Sequence, residues 1–118
     1  MVLSADTEIK MGTVECEGWY DGMIVDAEVV SLAGGYQRAR IVFFLLGDNH
    51  LAAAYLNLTD DPDSKIARLW RVATGTEPDR IRLVDLLGKQ CRVYVVHEQD
   101  RKRPGRKFNR VIDFKPIQ

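Results

Sequence analysis

Five cations fall within the seven positions 101 to 107, namely Arg101, Lys102, Arg103, Arg106 and Lys107, relieved only by Pro104 and Gly105. Earlier in the chain, RARIVFFLL sets Arg38, Arg40 and Phe44 in alternate positions, and LAAAYLNL sets Tyr55 opposite small apolar residues. Cations of this kind neutralise phosphates, and an exposed ring offers a face on which a base can stack, worth about 1 to 3 kcal/mol per base. The chemistry these residues could perform together is therefore binding of an unpaired polynucleotide.

Other chemistries find little support in the spacing. His50 and His97 stand far apart, and neither has a Cys, Asp or Glu partner at a metal-ligand interval. Cys16 and Cys91 are each alone, too few for a disulfide scaffold, so a reducing cytoplasm is the expected compartment. Leu87, Gly88 and Lys89 lack the frame of a phosphate-cradling loop, and Ser4, Ser31 and Ser64 lack a nucleophile-elbow context. Asp60 and Asp61 are explained by the cap and dipole of a following helix. No enzyme, metal or cofactor is expected.

The charge is neutral only in sum. The 118 residues carry 17 Lys plus Arg and 17 Asp plus Glu. Residues 1–64 hold three cations and eleven anions, a charge of −8, while residues 65–118 hold fourteen and six, a charge of +8. A polyanion meets the local field rather than the total, so zero net charge leaves nucleic acid open. No apolar run approaches the roughly twenty residues of a membrane span, and the N-terminus lacks the pattern of a signal peptide. A soluble, unprocessed protein with no membrane contact is expected.

The elements that must position these side chains follow from periodicity. Residues 1–20 show no sustained pattern and are read as an acidic N-terminal arm, with residues 21–118 forming one domain. Trp19 and Tyr20 fit either base stacking or a staple that fastens the arm. Residues 22–32 alternate, with Met23, Val25, Ala27 and Val29 assigned to one face and Asp26 and Glu28 to the other. After the Gly34–Gly35 turn, residues 38–46 place Ala39, Ile41, Phe43 and Leu45 inward and Arg38, Arg40, Val42 and Phe44 outward. Phe44 fits either a stacking platform or the core, because VFFLL is apolar throughout.

The turn at Gly47–Asn49 leads to a third strand over residues 50–58, with Ala52, Ala54, Leu56 and Leu58 inward and Ala53, Tyr55 and Asn57 outward. Ile66, Leu69, Trp70 and Ala73 form a helical stripe capped by Asp63 or Ser64 and stopped by Gly75, with Trp70 as a core plug. Cys91, Val93 and Val95 alternate with Arg92, Tyr94 and Val96 in a fourth strand, whose outward Arg92 and Tyr94 would extend the platform. Residues 107–115 form the fifth, in which Phe108, Ile112 and Phe114 or else Val111 face the core. The order β-β-β-α-β-β predicts a mainly β fold, a five-stranded Greek-key OB-fold barrel with one helix between strands 3 and 4. Such barrels bind oligonucleotides on strands 2 and 3, flanked by the loops joining strands 1 to 2 and 4 to 5.

The stretches FFLL, YLNLTDDPDSKIARLWRVATG, DLLGKQCRVYV and GRKFNRVIDFKP, spread over residues 22–116, resemble the small OB-type single-stranded DNA-binding proteins of bacteriophages and mobile elements. The resemblance implies non-catalytic coating of single strands in DNA replication, recombination or transfer, as a homo-oligomer, with replication or recombination proteins as further partners. RNA is a variant of this reading, since stacking does not tell a ribose from a deoxyribose. The chain departs from the standard bacterial coating protein in having no Gly-rich linker and no acidic C-terminal tip. The alternative expectation is an OB-fold adaptor subunit whose −8 and +8 halves supply complementary protein surfaces.

Overall fold

The computed structural model describes residues 3–117. Five strands form one sheet: β1 (Gly18–Ser31), β2 (Gln37–Leu45), β3 (Leu51–Asn57), β4 (Gln90–Gln99) and β5 (Lys107–Lys115), with helix α1 (Lys65–Thr74) between β3 and β4. The strand order is β1-β2-β3-β5-β4, and β4 returns to β1, so the sheet closes in a ring. Every neighbouring pair is antiparallel except β3 and β5, which run parallel and share one paired position, Ala53 with Arg110.

The long first strand serves two partners. Its N-terminal half pairs with β4 and its C-terminal half with β2, the two registers overlapping at Gly22 and Met23. Gly22 is required there by packing: a Cβ would lie 3.3 Å from Val93 and 3.4 Å from Phe43. Just beyond, the register with β2 slips between Ile24 and Asp26, a bulge that bends the strand so that it can leave one neighbour for the other. The slip also exchanges faces. Ile24 is inward opposite Phe43, and after the bulge Ala27 is inward opposite Ile41. Met23 and Val25, assigned by simple alternation to the face of Ala27, are therefore on the other side.

Strand β5 carries the second irregularity. Tyr94 pairs with Asp113 and Val95 with Val111, leaving Ile112 as the extra residue, 41% exposed. Val111 and Phe114 both reach the core as a result, which a strict two-residue period forbids. The other strands follow their alternation: Ala39, Ile41, Phe43 and Leu45, then Ala52, Ala54 and Leu56, then Cys91, Val93 and Val95 are all buried. Leu58, expected inward, lies past the end of β3 and is 38% exposed.

Helix α1 starts where the Ser64 side chain accepts the Ala67 N–H and stops at Gly75, whose φ of 74° is left-handed. It packs against β3, β4 and β5, adding Ile66 and Leu69 to the core around Phe43 and Phe114, with Trp70 half-buried beside them. A short 3-10 turn over Leu83–Leu86 supplies the buried Leu86.

The N-terminal segment is fastened to the ring. The Lys10 N–H donates to the Asn49 carbonyl, the His50 Nδ1 donates to the Gly12 carbonyl, and the His97 Nε2 donates to the Val14 carbonyl. Trp19 and Tyr20 belong to β1. Tyr20 packs partly against the core and its hydroxyl donates to the Cys16 carbonyl, while burial, followed by the charge of Asp48, pushes its pKa up. Asn109, the buried polar residue of β5 at 4% exposure, ties three segments together. Its Oδ1 accepts the Val14 N–H at 2.9 Å, and its Nδ2 donates to the Leu51 carbonyl of β3 at 2.9 Å and the Gly12 carbonyl at 3.2 Å.

Two outcomes are expected. Asn109→Ala strands the buried Val14 N–H and removes the donor to the Leu51 carbonyl, while the Gly12 carbonyl keeps His50, and should lower the unfolding free energy by about 2 to 3 kcal/mol in urea titrations. A loss below about 0.5 kcal/mol, the range of an ordinary surface change, contradicts this account. Burial pushes the Cys91 thiol from 9.0 up to about 12, whereas Cys16 is exposed. A thiol reagent at mildly alkaline pH should modify Cys16 alone in the native protein and both after unfolding. The neutral Cys91 contributes fully below pH 9.0, and that contribution is lost as pH rises toward about 12.

Candidate nucleic-acid interface

The parallel seam between β3 and β5 opens outward into a groove of about 640 Å³. One wall is the outer face of β2 and β3, presenting Arg40, Val42, Ala53 and Tyr55. The opposite wall is the β4–β5 loop and the start of β5, presenting Arg103, Arg106, Lys107 and Phe108. Met11 and Gly12 of the N-terminal segment close one side. Residues distant in sequence thus meet because the chain order brings β5 beside β3.

Arg40 and Tyr55 are cross-strand partners in the β2–β3 register, which sets both side chains side by side on the outer face. Arg40 Nε donates to the Tyr55 hydroxyl at 3.4 Å, and its Nη1 lies 3.4 Å from the Glu28 carboxylate of β1. The Tyr55 hydroxyl, ahead of the opposing effect of burial, moves the Arg40 pKa still further above its ordinary value. Tyr55 is half-buried, with its ring lining the groove.

The loop is shaped by its own backbone. The Asp100 N–H donates to the Arg106 carbonyl, the Arg106 N–H to the Arg103 carbonyl, and Asp100 Oδ1 accepts the Lys102 N–H. Arg103, Arg106 and Lys107 line the groove, while Arg101 and Lys102 occupy the exposed tip. Among the described residues none of these five cations is in an ion pair. They are available to an external anion.

Not every expected residue joins this groove. Phe44 is on the outer side of β2 between Met23 and Leu51, yet only 6% exposed, so its ring is covered rather than offered. Arg92 and Tyr94 lie on β4, separated from β2 by β1 and from β3 by β5. There Arg92 pairs with Asp21 at 3.2 Å, and Tyr94 meets Trp19 edge to face at 5.3 Å. Lys115 Nζ sits 4.3 Å from the Trp19 ring centroid, so the Trp19 ring is engaged locally.

Arg38 lies further along the outer face, where it lines two other hollows. One gathers Arg38, Tyr55, Lys65 and Arg110, and the other Tyr36, Arg38 and Asn57. Tyr36 stands 74% exposed at the β1–β2 turn. An aromatic directly after Gly34 and Gly35, both at positive φ, was the available signal. Lys65 and Arg110 were missed because their proximity to Arg38 depends on how α1 and β5 dock.

Among the described residues no group of three or more His, Cys, Asp or Glu gathers as a metal site, and no helix is long and apolar enough to cross a membrane. No protein-family model matches the chain, and no curated protein matches it.

Proposed function

We propose that this chain is an OB-fold protein that binds single-stranded DNA without catalysis and with weak sequence preference, serving DNA replication, recombination or transfer. The strand order β1-β2-β3-β5-β4 with a helix between β3 and β4 supports the OB assignment. The observation that carries the functional reading is the groove itself, in which Tyr55 and Arg40 face Arg103, Arg106 and Lys107. Phosphates run along the loop cations, and a base stacks on Tyr55 while Arg40, held by the Tyr55 hydroxyl, meets the backbone. Stacking on Tyr55 and neutralisation of phosphates by the loop cations are both blind to base identity, so discrimination among bases is weak.

Fluorescence anisotropy with labelled oligo-dT at rising salt tests the reading. Affinity should fall with a negative slope of log K against log salt, about −0.7 per phosphate neutralised. Replacing Arg103, Arg106 and Lys107 together by Ala should reduce the slope by about 2 and weaken oligo-dT and oligo-dA alike. Tyr55→Ala should cost about 1 to 3 kcal/mol, with Tyr55→Phe retaining most of the affinity. No binding at low salt, together with stable oligomers in sizing chromatography, would instead favour the adaptor reading. Competition between oligo-dT and oligo-U separates DNA from RNA.

A further inference from the structure

The N-terminal segment lies over ground adjoining the groove. Leu3 and Ile9 line a shallow hollow of about 330 Å³ with Val25, Val42 and Leu51. Arg40 lines this hollow and the main groove alike, so the two are contiguous at its side chain. Val25 and Val42 give the outer face of β1 and β2 an apolar patch between Asp26 and Arg40, and Leu3 and Ile9 of the N-terminal segment border it.

The segment is held unevenly. Residues 10–14 are anchored by the Lys10 backbone, by both carbonyls that His50 and His97 engage, and by the Asn109 side chain. Among the described residues, 3–9 have one hydrogen bond to the body, from Asn49 Nδ2 to the Glu8 carbonyl at 3.0 Å, while the bonds between Ser4 and Thr7 are internal. A stretch so sparsely bonded opens at far lower free energy than the ring beneath it. It also carries Asp6 and Glu8, both exposed and in no ion pair among the described residues. A polyanion moving past Arg40 toward Leu3 and Ile9 approaches a segment that carries these two unpaired carboxylates.

We propose that residues 3–9 are a displaceable strap over a second stretch of the polynucleotide path, and that strap and single strand compete for the outer face around Arg40 and Val42. The inference rests on the reading of the groove as a single-strand site. When the strap leaves, the apolar surface of Val25 and Val42 becomes open to a further base beside the Arg40 contact. Bound strand and seated strap are mutually exclusive, and the apparent affinity is reduced by the fraction of molecules with the strap seated.

The test compares the full chain with a variant lacking residues 1–9, in anisotropy with labelled oligo-dT at fixed salt. A strap seated in nine molecules of ten predicts that the truncated protein binds about tenfold tighter. Because truncation could disturb folding, a full-length Asp6→Asn, Glu8→Gln variant supplies the second arm and should bind about two- to threefold tighter through lost repulsion. Hydrogen exchange gives an independent readout: saturating oligo-dT should accelerate exchange at residues 3–9 while slowing it in the β4–β5 loop. Equal or weaker binding by both variants, or slower exchange at residues 3–9, overturns the strap alone. Absence of binding by every form, the full chain included, overturns the single-strand reading and the strap with it.

Discussion

The ring of strands is held shut at one narrow place. Four of its five seams are antiparallel ladders, but β3 and β5 share a single paired position, Ala53 with Arg110. Closure there relies on the side chain of Asn109, whose amide reaches across to the Leu51 carbonyl. Inside the sheet such a polar group is costly unless fully bonded, and Asn109 meets that condition by also taking up Gly12 and Val14. The same residue thus joins β5 to β3 and anchors the N-terminal segment. A fully laddered seam would leave the two strands flush, whereas this one leaves the groove in which Arg40, Tyr55 and the loop cations meet.

Much of this architecture is legible in the chain, and the exceptions have a common cause. Strands β2, β3 and β4 keep a strict two-residue period, so Ile41, Ala54 and Val93 are recognisable as core residues from alternation alone. Ser64 and Gly75 bound the helix by local cap chemistry. In β1 and β5 the period breaks at a bulge, so Met23 and Val25 read as partners of Ala27, and Val111 and Phe114 read as mutually exclusive. A bulge adds one residue without a sequence mark, and only the pairing partner reveals it. The N-terminal segment has no period because, beyond a single backbone bridge at Lys10, it is held by the His50, His97 and Asn109 side chains rather than by a strand ladder.

The site shows the same division. Tyr55 and Arg40 follow from alternation, and the cationic run from composition. The exclusion of Arg92 and Tyr94 follows from strand order, which no local pattern encodes: β4 lies between β5 and β1, so its outer face looks away from β2 and β3. Phe44 shows the limit of a two-face description, since a residue can point out of the sheet and still be covered. Charge is likewise sorted by the fold. Asp60, Asp61, Glu77 and Asp79 rim a hollow beside α1 that shares no lining residue with the cationic groove, so a chain of zero net charge keeps a positive local field at the seam.

Arg40 is where these constraints meet. Its guanidinium is oriented by Tyr55 on one side and by Glu28 on the other, with both members of the ion pair partly open to water at 36% and 51% exposure. An ion pair this exposed contributes about 0 to 1 kcal/mol, so an arriving phosphate can take the place of Glu28 at little cost. The hydrogen bond to Tyr55 need not break when it does, because the guanidinium carries five donors in a rigid fork. In the proposed complex Arg40 would therefore enter a phosphate contact already oriented and beside the ring proposed to take the base. A lysine at this position would keep the charge but lose the fixed plane that joins the two contacts.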